Sequence, residues 1–261
     1  MDAFEIERDL STARVGRNVI CFKALDSTND TAAASARQAD SDGLVVLADV
    51  QRRGRGRGGR AWLGAPGANV LMSVVLRDDV GRLPAEPVTI AAGMAVAGAI
   101  EHVLAEPDAC RLKWPNDVLL DGRKVAGILV EQRRLGPARS LIVGIGINVN
   151  AHPADGQVDR PATSLAARRG GPVDRVAVVR AVCRTLDGWV AALAADRAGT
   201  AERLRALWGR RCGMVDHRHT ILSGGRAYTG TVAAIDPLEG LLLRTDEGFY
   251  VHIRAEGAAV A

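Results

Sequence analysis

The chain has few cysteines, and their arrangement makes neither a disulfide frame nor a zinc site. The four cysteines are scattered, with no Cys-x-x-Cys pair and no paired histidines, which is typical of reduced, buried thiols in a cytoplasmic protein. The N-terminus lacks the basic start and apolar core of a secretory signal. The longest uncharged apolar stretch, near residues 87–100, is too short to span a bilayer. We therefore expect a cytoplasmic protein with no membrane partner.

Aromatic residues are also sparse, and positive charge is concentrated in one place. The formal net charge is +4, but residues 51–62 alone carry five arginines. The basic balance of the whole chain is therefore weak evidence for a nucleic-acid partner. A segment that binds nucleic acid would interleave aromatic side chains with its arginines, and only Trp62 is near. The remaining composition is that of a globular chain with room for one large domain, or a medium domain and a small one.

The most informative segment is the run at residues 51–62, Gln-Arg-Arg-Gly-Arg-Gly-Arg-Gly-Gly-Arg-Ala-Trp. Its glycines permit positive φ and close approach to a ligand, and its arginines offer planar forks of donors that fit phosphate or carboxylate. We expect a flexible cationic clamp that mutual repulsion holds open until an anion binds. Disordered tails and nonspecific RNA-binding segments have similar runs. Apolar runs at 44–50 and 69–76 predict flanking buried strands, which favours a loop at a site.

Hydrophobic periodicity and turn residues predict the main elements. Ser27 with Asp30 three residues later matches a capping box, so we expect a helix that continues through the alanine-rich residues 31–39. The sequence further predicts strands at 44–50, 69–77 and 140–149, a hairpin turn at Asp121-Gly122, and helices at about 87–105, 174–195 and 198–208. Beyond residue 208, short apolar runs alternate with turn clusters, which predicts a small β-barrel. We place one domain at 1–208 and a β-module at 209–261.

Three further clusters combine polar side chains with turns or strand glycines. A cation, an amide and a carboxylate lie at a strand end in the run Lys113-Trp114-Pro115-Asn116-Asp117. Core packing alone would not explain Lys113, because lysine is rarely buried without a partner. Lys124 follows the hairpin turn, where a lysine is most often solvated. Gly144-Ile145-Gly146-Ile147-Asn148 sets glycines in a core strand, which indicates close approach of a ligand or tight packing against a helix.

In this order, the motifs resemble those of the biotin–protein ligases. The resemblance covers about residues 20–261, and its blocks are Ser27-Thr28-Asn29, Gln51 with the run from Gly54 to Trp62, Lys113 to Asp117, Arg123 to Glu131, and Gly144 to Asn148. Five blocks in register are specific, whereas a Gly-Arg-Gly-Arg run alone is weak. One departure is Arg52-Arg53, where the family usually has small or uncharged residues. The resemblance implies an α+β fold, with a mixed, largely antiparallel sheet and helices like those of class II synthetases, followed by an SH3-like β-barrel.

The resemblance also implies an activity. Such a ligase activates biotin with ATP as biotinyl-5′-AMP and transfers it to a specific lysine of a biotin carboxyl carrier protein or domain. It uses Mg²⁺ and has no tightly bound prosthetic group. A homodimer is compatible with the family. Because only 26 residues precede Ser27, too few for the helix-turn-helix that many members carry, we expect no sequence-specific DNA binding.

The same resemblance implies roles for single residues. The catalytic residues would be Arg57, Lys124 and Lys113, which would neutralise and align two anions. The biotin site would contain Ser27, Thr28, Asn29, Gln51, Gly54, Arg55 and Gly127. The nucleotide site would contain Arg57, Arg60, Trp62, Asn116, Asp117 and Asn148. Asp117 would also be a ligand of Mg²⁺ or of a water bound to it.

Two alternatives remain open. A lipoate–protein ligase shares the fold and the type of reaction, although the usual glycine-rich signature of that family is not visible in this sequence. Consumption of biotin or of lipoate together with ATP separates these two enzymes. A basic RNA- or DNA-binding module would also explain the arginines, and a gel shift that weakens with salt would detect it.

Overall fold

A seven-stranded mixed sheet forms the centre of the larger domain. In the computed structural model, which describes residues 1–38, 40–78, 81, 83–135, 138–158 and 160–260, its strands are β1 (Val19–Leu25), β2 (Val45–Gln51), β3 (Val70–Arg77), β4 (Cys110–Lys113), β5 (Asp117–Leu120), β6 (Arg123–Leu135) and β7 (Ala138–Ile147). They lie in the order β1-β2-β3-β7-β6-β5-β4. Strands β1 and β2 are parallel, and the other neighbouring pairs are antiparallel. The predicted central strand is therefore confirmed as β7.

Helices cover both faces of this sheet. They are α1 (Ala3–Glu7), α2 (Thr28–Ser35), α3 (Ala85–Leu104), α4 (Leu165–Arg169), α5 (Arg175–Ala195) and α6 (Arg197–Arg211). Because successive strand residues point to opposite faces, β2 serves two cores. Val45 and Leu47 belong to the main core with α3 and α5, whereas Val46 and Ala48 pack with Ala32 of α2.

Helix α3 extends beyond the uncharged apolar stretch near residues 87–100 at both ends. By length and composition alone it could cross a membrane, but 67% of its apolar window is buried inside the protein. It contacts α5 and strands β4 to β7. Small residues such as Ala91 and Ala95 are fully buried in it and permit this close packing. Its position is that of a core helix beneath the sheet.

The start of α2 differs from the predicted capping box. Ser27 occupies the N-cap position, but its side chain makes no capping hydrogen bond in the described structure. Instead, the N–H of Thr28 donates to Oε1 of Gln51 at 2.7 Å, so a side chain from a neighbouring strand replaces the local cap. The helix ends at Ser35, earlier than predicted, and Ala39 lies outside the described residues.

The predicted hairpin at Asp121-Gly122 is confirmed. Asp121 has φ 52° and Gly122 has φ 73°, the pair of positive values that a two-residue type I′ turn requires. The turn joins β5 to β6 in antiparallel register. Asp117 lies opposite Gly127 and Lys124 opposite Leu119, and the long side chain of Lys124 reaches back to Asp117 at 2.6 Å.

A second sheet of five antiparallel strands follows α6. It contains β8 (Arg218–Ser223), β9 (Arg226–Asp236), β10 (Gly240–Thr245), β11 (Tyr250–Ile253) and β12 (Ala259–Val260), in the order β11-β10-β9-β8-β12. The sequence predicts a small β-barrel in this region, and the sheet agrees with it. The proposed boundary near residue 208 falls within α6, which continues to Arg211. Val232 and Leu241 of this sheet share the main core with Trp208 of α6.

One buried carboxylate fixes the N-terminal segment to α5. Asp187, only 9% exposed, accepts hydrogen bonds from the backbone N–H groups of Ala13 at 2.8 Å, Arg14 at 2.9 Å and Val15 at 2.8 Å. Three backbone donors on one ionised acceptor form a strong contact, because hydrogen bonds to charged groups exceed neutral ones in strength. This contact holds the chain just before β1 in place.

We expect Asp187→Ala to lower the free energy of unfolding by about 3 kcal/mol, because three partly buried N–H groups lose their acceptor. Urea denaturation measures this change. The matched control is Asp174→Ala, which removes an exposed carboxylate that accepts one bond at the start of α5, from Val176 at 2.8 Å. That control should cost about 1 kcal/mol. Equal losses in the two variants would contradict the role given to Asp187.

Candidate functional site

A cavity of about 440 Å³ opens beside the start of α2 and the ends of β6 and β7. The basic loop at 51–62 borders it, together with residues of the segments 153–158 and 160–162 and the last strand of the second sheet. Most residues that the sequence assigns to a site line it: Ser27, Thr28, Asn29, Gln51, Arg55, Arg57, Arg60, Trp62, Asn116, Asp117, Lys124, Gly127 and Asn148. Gly54 and Lys113 are not part of the lining. The fold therefore brings five separate sequence blocks to one cavity.

A network of neutral polar groups occupies one side of the cavity. Gln51 Oε1 accepts from Thr28 N at 2.7 Å and from Thr28 Oγ1 at 3.0 Å. Ser73 Oγ lies 2.8 Å from Thr28 Oγ1 and 2.6 Å from Asn29 Oδ1, and Asn29 Nδ2 donates to Glu131 Oε2 at 2.7 Å. The side-chain oxygens of Gln51 and Asn29 both accept hydrogen bonds within the protein. The NH₂ group of Gln51 is therefore the part of its amide that can donate to another group.

Ser73 and Glu131 belong to this network but were not assigned to the site from the sequence. Ser73 is fully buried in β3, inside the apolar run Val70–Arg77. A hydroxyl in such a run needs a partner, and this is the one signal that could have identified it. Glu131 ends the motif block that begins at Arg123, but its partner Asn29 lies far away in the sequence.

The two glycines of β7 make room for side chains of the site. A Cβ atom on Gly144 would lie 2.3 Å from Asn29 Oδ1, and one on Gly146 would lie 2.4 Å from Trp62 Cε2. Gly127 of β6 adds to the same surface, because a Cβ there would lie 3.0 Å from Trp62 Cζ3. No larger residue fits these positions without displacing Asn29 or Trp62. Gly144 thus makes room for a side chain of helix α2, in line with the predicted packing against a helix, whereas Gly127 and Gly146 make room for Trp62.

Three arginines of the basic loop are paired with carboxylates. Arg53 Nε donates to Asp26 at 3.1 Å, and Arg52 lies 3.8 Å from the same carboxylate. Arg55 makes two bonds of 2.6 Å to Asp30, and these bonds hold the pKa of Asp30 below its usual value. The expectation that mutual repulsion holds the loop open is therefore wrong for this part, because scaffold carboxylates neutralise these charges.

Arg57 is placed differently from its neighbours. Gly58 and Gly59 adopt φ 64° and 74°, and this turn directs Arg57 inward to the cavity. Its NH2 group donates to the carbonyl of Ala255 in the second module, while its buried Nε has no hydrogen-bond partner among the described residues. Burial lowers the pKa of Arg57. One donor of the guanidinium is therefore unused by the described residues. Arg57 lines the cavity, and Arg60 lies exposed at its rim.

A cluster of cations surrounds Asp117. Lys124 Nζ lies 2.6 Å from Asp117 Oδ1, and Arg160 NH1 lies 3.9 Å from Asp117 Oδ2. Lys113 is the register partner of Asp117 across the β4–β5 pair. Burial, with a contribution from Arg160, lowers the pKa of Lys113 to about 8. Lys113 therefore lies behind the cavity wall and adds positive potential there.

Two asparagines complete the site. Asn116 Nδ2 donates to the carbonyl of Ile128 at 2.6 Å, and Ile128 N donates back to Asn116 at 3.0 Å, so Asn116 fixes the turn before β5. Asn148 is 2% exposed, and its Oδ1 has no hydrogen-bond partner among the described residues although it lines the cavity. The carbonyl of Gly54 accepts a hydrogen bond from Trp62 N at 2.9 Å, and this bond closes the base of the basic loop.

The side chains that line the cavity could contact a metal ion bound to a ligand. They do not form a metal site built from protein groups alone. Within the described part of the chain, no group of three or more His, Cys, Asp or Glu side chains could hold an ion. Asp117 is the one described acidic residue in the cavity lining. Mg²⁺ is commonly held by one or two carboxylates together with phosphate oxygens and waters. Asp117 could supply one such contact to Mg²⁺ on a polyphosphate.

Comparisons with known proteins identify the family of this chain. Residues 21–148 match the model of the Biotin/lipoate A/B protein ligase family. The chain is 34% identical over 235 residues to a biotin--[acetyl-CoA-carboxylase] ligase of Paracoccus denitrificans, which covers 88% of this chain and 96% of that protein. It is 39% identical over 179 residues to the bifunctional ligase/repressor BirA of Bacillus subtilis, covering 67% of this chain and 54% of that protein. The chain thus spans about half the length of the BirA proteins of two Bacillus species.

Solved structures show the same architecture. Biotin protein ligase from Aquifex aeolicus in complex with biotin and ATP superposes with a TM-score of 0.77 at 27% identity, covering 94% of this chain and 99% of that chain. The enzyme from Leishmania major in complex with biotinyl-5-AMP superposes with a TM-score of 0.64 at 26% identity, covering 92% and 99%. These matches confirm the predicted α+β fold with its SH3-like module, and the chain belongs to the biotin protein ligases of the biotin/lipoate A/B protein ligase family.

Proposed function

We propose that this chain activates biotin with ATP, forms biotinyl-5′-AMP, and transfers the biotinyl group to a lysine of a biotin carboxyl carrier protein or domain. One observation carries the proposal. A single cavity joins a neutral hydrogen-bonding network, suited to a cyclic urea, to a cationic cluster suited to phosphate and carboxylate. The relatives named as biotin ligases, and the related enzyme solved with biotin and ATP, support it.

The neutral side of the cavity would bind the ureido ring of biotin. The ring offers one carbonyl acceptor and two N–H donors, and polar ligand groups of this kind need a few fixed partners in an otherwise apolar pocket. The NH₂ group of Gln51 and the hydroxyls of Ser27 and Thr28 would supply them. Asn29 is held by Ser73 and Glu131 and would orient this end of the pocket.

The cationic side would perform the first reaction. A carboxylate oxygen of biotin attacks the α-phosphorus of ATP, the bond from that phosphorus to the β-phosphate oxygen breaks, and pyrophosphate leaves. The two reactants are both anions, so the site must offset their repulsion and align them. Arg57 and Lys124 both line the cavity. These two residues would contact the reacting oxygens, and Lys113 would strengthen the local positive potential.

The remaining residues would hold the nucleotide. Trp62 presents its indole beside Gly146 and Gly127 and would cover the adenylate by stacking. Asn148 has an unused acceptor oxygen, which suits a ribose hydroxyl better than a phosphate oxygen. Asn116 and Asp117 would face the phosphates, where Mg²⁺ would neutralise charge on the triphosphate. Arg60 would bind phosphate from the rim.

In the second reaction, the neutral amine of the carrier lysine attacks the acyl carbon of the mixed anhydride. The bond from that carbon to the phosphate oxygen breaks, AMP leaves, and the amine loses a proton as the amide forms. Arg57 and Lys124 would stabilise the departing phosphate.

We place this activity in the cytoplasm, in keeping with four unpaired cysteines. Burial raises the pKa of Cys110 and Cys183 to about 12, so both remain thiols.

The test is biotin-dependent exchange of labelled pyrophosphate into ATP, with Mg²⁺ and without any carrier protein. We expect exchange with biotin and none above background with lipoate. Lack of exchange in folded protein that binds ATP would contradict the proposal, and exchange with lipoate alone would support the lipoate ligase alternative. A sequence-specific gel shift at physiological salt would point instead to nucleic-acid binding.

We expect Arg57→Ala and Lys124→Ala each to slow adenylate formation by roughly 10²–10³-fold, because each removes a fixed donor to the reacting oxygens. The matched control within the loop is Arg52→Ala, which removes a 65% exposed arginine paired loosely with Asp26. Its rate should stay close to that of the unmodified protein. Pyrophosphate exchange measures all three. If Arg52→Ala proved as damaging as Arg57→Ala, the division of the loop would be wrong.

We expect Gly146→Ala to weaken ATP binding by roughly tenfold, because the added methyl group displaces the indole that stacks on the base. Biotin binding should change little, since the neutral network lies on the other side of the cavity. Calorimetry measures both affinities. The control is Gly188→Ala in α5, where nothing lies within 4 Å of the added carbon. An ATP affinity equal to that of the unmodified protein would contradict placing the adenylate against Trp62.

A further inference from the structure

Glu131 is not part of the cavity lining, but its carboxylate contacts the polar network on the neutral side of the cavity. Oε2 accepts from Asn29 Nδ2 at 2.7 Å, and Oε1 accepts from Arg133 NH2 at 3.0 Å. Arg55 NH2 lies 3.7 Å from Oε2. An ionised carboxylate has two acceptor oxygens and no donor, so Glu131 offers an acceptor to Asn29 and to Arg133 at once.

The carboxylate of Glu131 fixes the orientation of the Asn29 amide. The nitrogen of an amide must face acceptors, and its oxygen must face donors. Nδ2 of Asn29 faces Glu131 Oε2 at 2.7 Å and the carbonyl of Leu129 at 3.5 Å, and both of these groups only accept. Oδ1 of Asn29 is therefore turned toward Ser73 Oγ, which lies 2.6 Å away.

The orientation of Asn29 decides where the proton of Ser73 goes. Ser73 Oγ contacts two oxygens, Asn29 Oδ1 at 2.6 Å and Thr28 Oγ1 at 2.8 Å, but a hydroxyl has only one proton to donate. Because an amide oxygen can only accept, the shorter contact requires the proton of Ser73. Ser73 is fully buried and Asn29 is 5% exposed, so the protein groups themselves determine this arrangement.

Thr28 is thereby left with an acceptor for the cavity that it lines. Its own hydroxyl proton is donated to Gln51 Oε1 at 3.0 Å, while the proton of Ser73 is used on Asn29. The oxygen of Thr28 can then accept a hydrogen bond from a ligand. If the Asn29 amide were reversed, its Nδ2 would donate to Ser73, the proton of Ser73 would turn to Thr28, and this acceptor would be occupied.

Resting on the proposed function, we propose that Glu131 is a positioning residue that makes the neutral side of the cavity selective for a ligand with an N–H donor. It does not touch the ligand and acts through Asn29, Ser73 and Thr28. A ureido ring has two N–H groups, and Thr28 Oγ1 accepts from one of them. A ligand with an oxygen in place of this N–H binds more weakly, because the buried acceptor then lacks a donor.

A carboxylate is required at position 131 because two donors meet there. Glutamine has one acceptor oxygen, and Arg133 and Asn29 both need it. When the amide oxygen of glutamine faces Arg133, its NH₂ group faces Asn29 and favours the reversed amide. Glu131→Gln therefore keeps the size of the side chain but no longer imposes one orientation on the network.

The experiment compares the affinity of biotin with those of its two cyclic carbamate analogues, in each of which one ring N–H is replaced by oxygen. Calorimetry without ATP measures all three. We expect the unmodified protein to bind biotin roughly tenfold more tightly than the analogue that lacks the N–H facing Thr28. In Glu131→Gln this preference should largely disappear, because Thr28 no longer keeps a free acceptor. Urea denaturation shows that each variant is folded.

Further variants separate this role from a purely structural one. Arg133→Ala should keep the preference, because the carboxylate of Glu131 still faces Asn29. Combined with Glu131→Gln, it should restore the preference, because the single amide oxygen is then free to face Asn29. The matched control is Asp30→Asn, which makes the same carboxylate-to-amide change at the other partner of Arg55 and should leave the preference unchanged.

Four results would overturn the inference: an unchanged preference in folded Glu131→Gln, the same loss in Asp30→Asn, no recovery in the double variant, or equal binding of biotin and both carbamates by the unmodified protein. The biotin-dependent exchange of the unmodified protein separates this inference from the proposed function. Normal exchange together with any of these four results contradicts the role of Glu131 alone. Absent exchange together with absent biotin binding contradicts the proposed function and the inference with it.

Discussion

The ion pair between Lys124 and Asp117 is the interaction on which the arrangement of the site depends. It links the first residue of β5 to the start of β6, across the hairpin turn at Asp121-Gly122. The carboxylate lowers the repulsion among the cations that converge on it, so that they can be half-buried in the absence of substrate. Under the proposed function, these cations would receive the phosphate and carboxylate groups of the substrates.

Carboxylates also pair with the cations of the basic loop. Asp26 and Asp30, at the start of α2, neutralise Arg52, Arg53 and Arg55 and tie the loop to the scaffold. Two glycines with positive φ then turn Arg57 inward, where its contact with Ala255 also joins the loop to the second module. Carboxylates thus hold the first half of the loop, and under the proposed function its second half would contact the ligands. Glycines in β6 and β7 let the indole of Trp62 pack closely against the sheet.

Local signals were enough to predict strands β2, β3 and β7, the long helices and the hairpin turn, because each is encoded by periodicity or by a turn that only certain residues adopt. Strand β1 and the short helices α1 and α4 were not predicted. The motif resemblance identified most of the cavity lining. What could not be predicted depends on contacts between distant segments. Arg55 pairs with Asp30, and Ser73 supports Asn29. The sequence around Arg55 or Ser73 does not identify these partners. Arg160 belongs to none of the motifs found in the sequence, and backbone bonds between its neighbours and Lys124 place it beside the cavity. The cap of α2 was mispredicted for the same reason, since Gln51 takes the place of a local cap.

The central claim is that scaffold carboxylates hold part of the loop while Arg57 and Lys124 bind the acyl phosphate. A crystal structure with a non-hydrolysable analogue of biotinyl-5′-AMP tests it most directly. The account predicts the phosphate within about 4 Å of both Arg57 and Lys124, the distance of an ion pair, with Arg55 still paired to Asp30. A phosphate bound instead by Arg52 or Arg53, or by an Arg55 that has left Asp30, would contradict it.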